Sequence, residues 1–169
     1  MIINSDRAGD DLSALPAGDG GRVPVVEPGS VEAEFAEAPG ALVQQRWVQA
    51  AAAVRFEHLV PVADFPVVPG RRWGPGWWWS ATTGGHVMHG SQAMCTQLML
   101  LDRDPQVVGL SARPVRLIWR DAGSGRVLTW VPQVFARYAD GRALLADCPA
   151  GTEPAGDRAA RGRGAGGGV

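Results

Sequence analysis

The sequence predicts an α/β protein in which one helix packs on a face of a mixed β-sheet. The chain has 169 residues and is 46% hydrophobic, enough for one domain with a substantial core. An apolar repeat at helical spacing runs from His86 to Leu101. It follows one strand-like segment, GWWWSATT, and precedes five more. This order of elements predicts the fold class.

The N-terminal 64 residues precede the predicted core. Residues 1–30 are rich in Gly, Asp and Pro without periodicity, which predicts a disordered acidic leader. Residues 31–64 are predicted to be a helical and extended arm, with helical pieces broken at Pro39-Gly40. The second piece is predicted from helical spacing of Val43, Trp47, Ala50, Ala51 and Val54. The proline-punctuated stretch RFEHLVPVADFPVVPG predicts the extended part of the arm.

The core is predicted to span residues 65–149. GWWWSATT is predicted to be a strand because bulky aromatic side chains suit a pleated, half-buried surface. The helix is predicted to end at Asp104-Pro105, and its repeat consists of Val87, Ser91, Met94, Leu98 and Leu101. Then follow VVGLSA, a hairpin of PVRLIWR and RVLTWVP closed by DAGSG, and strands in QVFARY and RALLADC.

Charge is unevenly distributed along the chain. Residues 65–147 hold nine Arg and five acids, whereas residues 1–64 hold four Arg and ten acids. The basic excess in the predicted core favours a polyanionic partner. Every basic residue is Arg, so no lysine can assist catalysis. Residues 150–169 are rich in Gly and Arg and are predicted to be a disordered tail.

The localisation expected from the sequence is cytoplasmic. No apolar run approaches the ~18–20 residues that span a bilayer, so no membrane partner is expected. The N-terminus lacks the charged and then apolar pattern of a secretion signal. Cys95 and Cys148 lack C-x-x-C spacing, which indicates reduced thiols.

Three stretches between about Arg55 and Asp147 resemble, in order, the TnsA-like endonuclease subunits of heteromeric transposases. They are FPVVPGRRWGPGWWWSATTGGHV, LMLLDRDPQVVGLSARPVRLIWRDA and VPQVFARYADGRALLADC. The resemblance implies a restriction-endonuclease-like fold and cleavage of one DNA strand at transposon ends beside a transposase partner. It also implies Mg²⁺, since clustered carboxylates can hold the ions that activate water and stabilise the leaving oxygen.

Most catalytic positions of that family are substituted. Where the family helix carries two glutamates, this chain has His89-Gly90-Ser91 and then Met94. The family's Pro-Asp is Pro132-Gln133, and its acid-x-basic motif keeps Asp147 but ends in Pro149. The resemblance therefore assigns Asp147 and Gln133 to catalytic positions and leaves Asp147 as a weak metal ligand at most. Mg²⁺ binding is expected to be weak or lost.

The leading functional hypothesis is a weak or inactive nuclease that binds DNA or a transposase partner subunit. An alternative is an active, divergent Mg²⁺-dependent endonuclease that uses Asp147, Gln133 and a substitute acid such as Asp102. A third is a protein-interaction module without nucleic-acid contact. The candidate phosphate contacts are Arg71, Arg72, Arg113, Arg116, Arg120 and Arg137.

Two other motifs allow a functional interpretation. Trp77, Trp78 and Trp79 could stack on bases, but packing in the sheet is favoured, and at most two of them can share a face of a strand. His86-x-x-His89 with Cys95 resembles a zinc site only loosely, and a position at the start of the helix is favoured.

Overall fold

The computed structural model describes residues 2–3, 30–67 and 74–148. Within these residues the chain is a mixed α/β protein with ten strands, two α-helices and a short 3-10 turn at Phe56–His58. The helices are α1 (Trp47–Ala53) and α2 (Gln92–Asp102). The strands are β1 (Ile2–Ile3), β2 (Glu32–Ala38), β3 (Ala41–Arg46), β4 (Gly76–Ser80), β5 (Gly85–His89), β6 (Val107–Ala112), β7 (Val115–Arg120), β8 (Val127–Trp130), β9 (Val134–Tyr138) and β10 (Ala143–Ala146).

The strands form three sheets, where the sequence predicted one mixed sheet. The sheet orders are β1-β10-β9-β6, β3-β2-β7-β8 and β4-β5. All pairings between these strands are antiparallel within the described residues. Short connections such as the turn between β9 and β10 produce this arrangement, because parallel neighbours would need long crossovers.

The sheet containing β9 is central and is covered on both faces. Phe135 lies in a first core, shared with the β3-β2-β7-β8 sheet, whereas Val134 and Ala136 lie in a second core beneath α2 and β5. This alternation follows from the two-residue period of a strand. Fully buried side chains of the size of Phe and Leu contribute about 1.5–3 kcal/mol each. The largest of them are Trp47, Phe35, Phe56, Phe135, Met94, Leu98, Leu110, Leu117 and Leu145.

The prediction of helical pieces from residue 31 is wrong for residues 32–46, which form the β2–β3 hairpin. Val31, Ala33 and Phe35 are buried, whereas Glu32 is exposed and Glu34 only half-buried, a two-residue alternation typical of a strand. The Pro39-Gly40 break is the hairpin turn, with Gly40 at φ 81°. Only α1 keeps the predicted helical spacing.

The predicted helix start at His86 is also wrong, because residues 85–89 are strand β5. Gly84, at φ 67°, lies in the turn that brings β5 back against β4. Ser91 is the N-cap of α2, and its hydroxyl accepts a hydrogen bond from the Met94 backbone N–H at 3.2 Å. Val87 packs in the second core from strand β5. An apolar residue at this position fits both a strand and a helix, so the apolar repeat does not distinguish the two.

Other predicted elements are confirmed. They are the strand in GWWWSATT, VVGLSA as β6, the β7–β8 hairpin, and the strands of QVFARY and RALLADC as β9 and β10. In the predicted extended arm, the described residues contain the 3-10 turn and an isolated bridge between Val60 and Ala36. None of the helices among the described residues is long and apolar enough to cross a membrane.

The predicted disordered ends lie mostly outside the described residues. Within the leader, Ile2–Ile3 forms β1 and pairs with Ala143 and Leu144 of β10, so the leader prediction is wrong at these two positions. The tail at 150–169 and Pro149 fall outside the described residues, as do Arg71 and Arg72.

Candidate functional site

The structure brings Gln133 and Asp147 together at adjacent ends of β9 and β10. The last paired residues of the two strands are Val134 and Ala146, so the next position on each strand holds one of these two side chains. The Gln133 backbone N–H donates to Asp147 Oδ1 at 3.2 Å. In return, the Cys148 backbone N–H donates to Gln133 Oε1 at 3.3 Å. The two positions that the family resemblance singles out are therefore direct neighbours.

The Asp147 carboxylate is held by protein donors through both of its oxygens. Oδ2 accepts a hydrogen bond from Trp130 Nε1 at 2.7 Å, and Oδ1 accepts the one from Gln133. Asp147 is nevertheless exposed, whereas Trp130 is buried. Hydrogen bonds to a carboxylate are directional, so these donors orient the group.

Arg113 is the charged neighbour of Asp147. Its backbone N–H donates to the Gln133 carbonyl oxygen at 3.2 Å, and its φ of 48° is in the left-handed region that non-glycine residues rarely adopt. Its guanidinium lies 4.2 Å from the centre of the Phe65 ring and donates to the Asp64 carbonyl oxygen. Burial lowers the pKa of Arg113, and the negative charges of Asp147 and Asp64 oppose that shift.

Gly90 lies against the same Phe65 ring. A Cβ at this position would overlap the ring, within 2.8 Å of its Cγ and Cε1. Gly90 precedes α2 and does not lie within it, so the glycine does not interrupt that helix. Phe65 and Arg113 thus lie between Gly90 and the pair of Gln133 and Asp147. Gly90 belongs to the stretch where the resembled family carries its first glutamate.

No group of three or more His, Cys, Asp or Glu side chains within residues 30–67 and 74–148 could hold a metal ion. Asp102, the substitute acid suggested by the sequence, is engaged elsewhere. Its carboxylate accepts hydrogen bonds from Trp78 Nε1, Ser80 Oγ and the backbone N–H groups of Ala81 and Thr82 at 2.7–3.2 Å. Asp102 therefore fastens the β4–β5 hairpin to the end of α2.

The pKa of Asp102 is shifted by these hydrogen bonds. Desolvation raises it, but the hydrogen bonds from Ser80, Thr82 and Ala81 together outweigh desolvation and lower the pKa to about 2. A carboxylate saturated in this way has little capacity to accept further ligands. Its use as a substitute metal ligand, expected in the second sequence hypothesis, has no support in its contacts.

Of the predicted phosphate contacts that the structure describes, most are engaged inside the protein. Arg116 pairs with Glu34, and Arg137 pairs with the buried Glu57 at 3.5 Å. Arg113 covers Phe65. Arg120 is exposed at the end of β7, where its guanidinium donates to the Gly125 carbonyl oxygen at 2.6 Å.

Glu57 is a buried acid that the sequence analysis did not single out. It lies in the 3-10 turn and is also paired with Arg55 at 2.8 Å. A Cβ at Gly109 would come within 2.8 Å of Glu57 Cβ, so the glycine leaves room for this side chain. The sequence offers no signal that Gly109 and Glu57 lie together, since 52 residues separate them.

The tryptophan run divides between two faces, as the strand period predicts. Trp78 packs against the second core and donates to Asp102, whereas Trp77 and Trp79 point outward and are 62% and 58% exposed. His86, on the paired strand, contacts both outward rings edge-on. His89 instead lies beside Gly76, so the two histidines do not form the zinc pair that their spacing suggested.

The chain matches no protein-family model, no curated protein and no solved structure. The class defined by its fold is therefore the general one of mixed α/β proteins built on antiparallel sheets. Its particular features are an aspartate held by Trp130 and Gln133 beside Arg113, and an exposed tryptophan pair on a separate hairpin.

Proposed function

We propose that the chain is a non-cleaving relative of the TnsA-like endonuclease subunits, with a restriction-endonuclease-like core that binds DNA in the cytoplasm as part of a transposase assembly. The observation that carries the proposal is the environment of Asp147. Both carboxylate oxygens accept hydrogen bonds from the protein, and the charge beside it is the Arg113 guanidinium.

The residues around Asp147 do not fit a Mg²⁺ site. Mg²⁺ requires oxygen ligands in near-octahedral geometry and usually uses one or two carboxylates. Here the neighbouring side-chain oxygen, Oε1 of Gln133, is neutral and already accepts a hydrogen bond from Cys148. A fixed guanidinium close by repels a divalent cation. These features favour a binding role over hydrolysis.

The order of elements supports the comparison with the family. Helix α2 packs on the sheet that contains β6 and β9 and precedes both strands in the chain. β9 follows the Pro-Asp position, now Pro132-Gln133, and β10 leads into Asp147. A helix followed by two neighbouring strands that bring these positions together is the arrangement that the resemblance implies.

The test of the catalytic part is a cleavage and metal-binding experiment on the full chain. Duplex DNA incubated with Mg²⁺ or Mn²⁺ is expected to remain uncut, and calorimetric titration with Mn²⁺ is expected to be flat. Asp147→Ala serves as the matched control for background nuclease. Cleavage by the unmodified chain that disappears in Asp147→Ala would contradict the proposal.

The test of the binding part is the salt dependence of duplex affinity. Binding measured by fluorescence anisotropy is expected at low salt and should weaken steeply as salt rises, because phosphate contacts release counterions. Arg120→Ala should reduce the slope of log affinity against log salt concentration by about one. Arg116→Ala should leave this slope unchanged, because the Arg116 guanidinium is paired with Glu34. Undetectable binding at low salt would instead favour the interaction-module hypothesis.

A further inference from the structure

The β4–β5 hairpin presents two exposed indoles on one face. Trp77 and Trp79 are two residues apart on a strand, so their Cα atoms lie about 7 Å from each other. The His86 ring lies 6.5 Å from Trp77 and 5.0 Å from Trp79, centre to centre. We refer to Trp77, Trp79 and His86 as the aromatic platform. Large aromatic side chains exposed in this way are typical of a binding surface.

The aromatic platform is held rigidly from behind. Trp78 points to the opposite face and donates through Nε1 to Asp102, which also accepts hydrogen bonds from Ser80, Ala81 and Thr82. The hairpin is thereby fixed to the C-terminal end of α2. A ligand that binds the platform therefore loses little affinity to ordering of the protein.

A cavity of about 300 Å³ adjoins the platform and is bordered by both Trp77 and His86. Val87 and Leu110 give it apolar walls, while Glu57 and His58 add polar groups. Glu57 is already paired with Arg55 and Arg137, so its charge is balanced within the protein. The volume is at the lower end of ligand pockets and suits one flat ring system.

We propose that the aromatic platform and the adjoining cavity bind unstacked bases of single-stranded nucleic acid. Bases would stack on the indoles of Trp77 and Trp79, because every base has a π-face and such stacking tolerates any sequence. The cavity receives a neutral planar base whose edge meets polar groups. This site is separate from Asp147 and goes beyond the proposed duplex-binding role.

An exposed cation next to the hairpin favours nucleic acid over an uncharged sugar or an apolar protein surface. Residues 65–147, which include the platform, carry nine Arg and five acids. Arg103, which is exposed, directly follows the Asp102 that anchors the hairpin. A phosphate backbone that passes the hairpin would meet the Arg103 guanidinium.

The test compares a short fluorescein-labelled oligothymidylate with a duplex of the same length, by anisotropy at low salt. In the full chain, Trp77→Ala/Trp79→Ala is expected to weaken single-strand binding at least about tenfold, while Trp77→Phe/Trp79→Phe retains most of it. Leu42→Ala, which alters an exposed apolar side chain on β3, is the matched control and should change nothing. Thermal unfolding verifies that each variant is folded.

Different outcomes separate this inference from the proposed function. If the chain binds duplex but not the single strand, the platform assignment is overturned while duplex binding stands. The same conclusion follows if the single strand binds the double alanine variant as tightly as the unmodified chain. If the single strand binds through the tryptophans and duplex does not, the platform stands and the duplex role fails. A third outcome is that the chain binds no oligonucleotide but self-associates with rising concentration in sedimentation, and that the double alanine variant does not. This outcome would identify a protein interface and overturn the inference.

Discussion

Two aspartates of this chain each accept a hydrogen bond from a tryptophan indole, yet they have different roles. Asp102 accepts from Trp78 at 3.2 Å and Asp147 from Trp130 at 2.7 Å. Asp102 has three further donors, from the last residue of β4 and the turn that follows it, whereas one further donor, the Gln133 backbone N–H, reaches Asp147. The contrast shows that the set of donors, more than the Asp–Trp pair itself, decides what a carboxylate does.

The surroundings complete this contrast. Asp102 ties together the hairpin and α2, and its pKa is lowered to about 2. Asp147 is exposed, lies beside Arg113 and stands at the position that the family resemblance assigns to catalysis. Sequence alone suggested that Asp102 could assist Asp147, but the structure assigns Asp102 to stability. The following substitutions test this division.

The largest effect is expected from Asp102→Ala. The substitution leaves the indole of Trp78, the Ser80 hydroxyl and two backbone N–H groups without their acceptor, and should lower the free energy of unfolding by about 3 kcal/mol or more. Urea unfolding measures the change. Asp104→Ala is the control, since that carboxylate accepts one hydrogen bond, from the Gln106 N–H, and should cost about 1 kcal/mol. Equal losses in the two variants would refute the role of Asp102.

Gly90→Ala should be the next most damaging substitution. The added methyl group overlaps the Phe65 ring, so the ring and the Arg113 guanidinium above it must move, at a cost of about 2 kcal/mol. A double-mutant cycle with Phe65→Ala is the decisive measurement, since removal of the ring should make Gly90→Ala nearly neutral. Strict additivity of the two substitutions would show that the contact does not exist.

The pH dependence of stability should identify Asp102 directly. Its pKa is about 2 in the folded chain against an ordinary value of 3.8, so its contribution is fully present above pH 3.8 and is lost as pH falls towards 2. Because water screens this partly exposed carboxylate, the difference in unfolding free energy between the natural chain and Asp102→Asn should shrink by about 1 kcal/mol over that interval. A difference that stays constant with pH would mean that the depressed pKa is wrong.

The smallest effect is expected from Asp147→Ala. The carboxylate is exposed and its two hydrogen bonds compete with water, so the loss should be about 1 kcal/mol or less. Chemical denaturation measures it, and Asp147→Asn should retain part of the stability by keeping an acceptor for Trp130. A loss as large as that of Asp102→Ala would erase the distinction between the two aspartates.

The strands that sequence predicted correctly have strong local signals. β4 and β6 to β10 are bounded by turn residues and are rich in apolar side chains, and these properties depend on neighbours in the chain. The β2–β3 hairpin and β5 were misassigned because their apolar residues fit both a strand and a helix. Val43 and Val87 contact the cores from strands, at positions that also continue a helical repeat into α1 and α2.

The candidate site was predictable only in part. The absence of lysine is a property of the residues themselves and does not depend on the fold. The adjacency of Gln133 and Asp147 follows from the pairing of β9 with β10. In contrast, nothing in the local pattern indicated that Arg113 and Phe65 would lie between this hairpin and Gly90, since these residues are distant in the chain.

Sequence by itself determined that no lysine is available to the protein, that tryptophans on β4 must divide between two faces, and where most strands lie. Tertiary structure decided that the charged neighbour of Asp147 is Arg113, that Asp102 locks a hairpin, and that the outward indoles are Trp77 and Trp79. The reason is physical: strand periodicity and turn chemistry act over a few residues. Charge pairing, ring contacts and exposure depend on segments that only folding brings together.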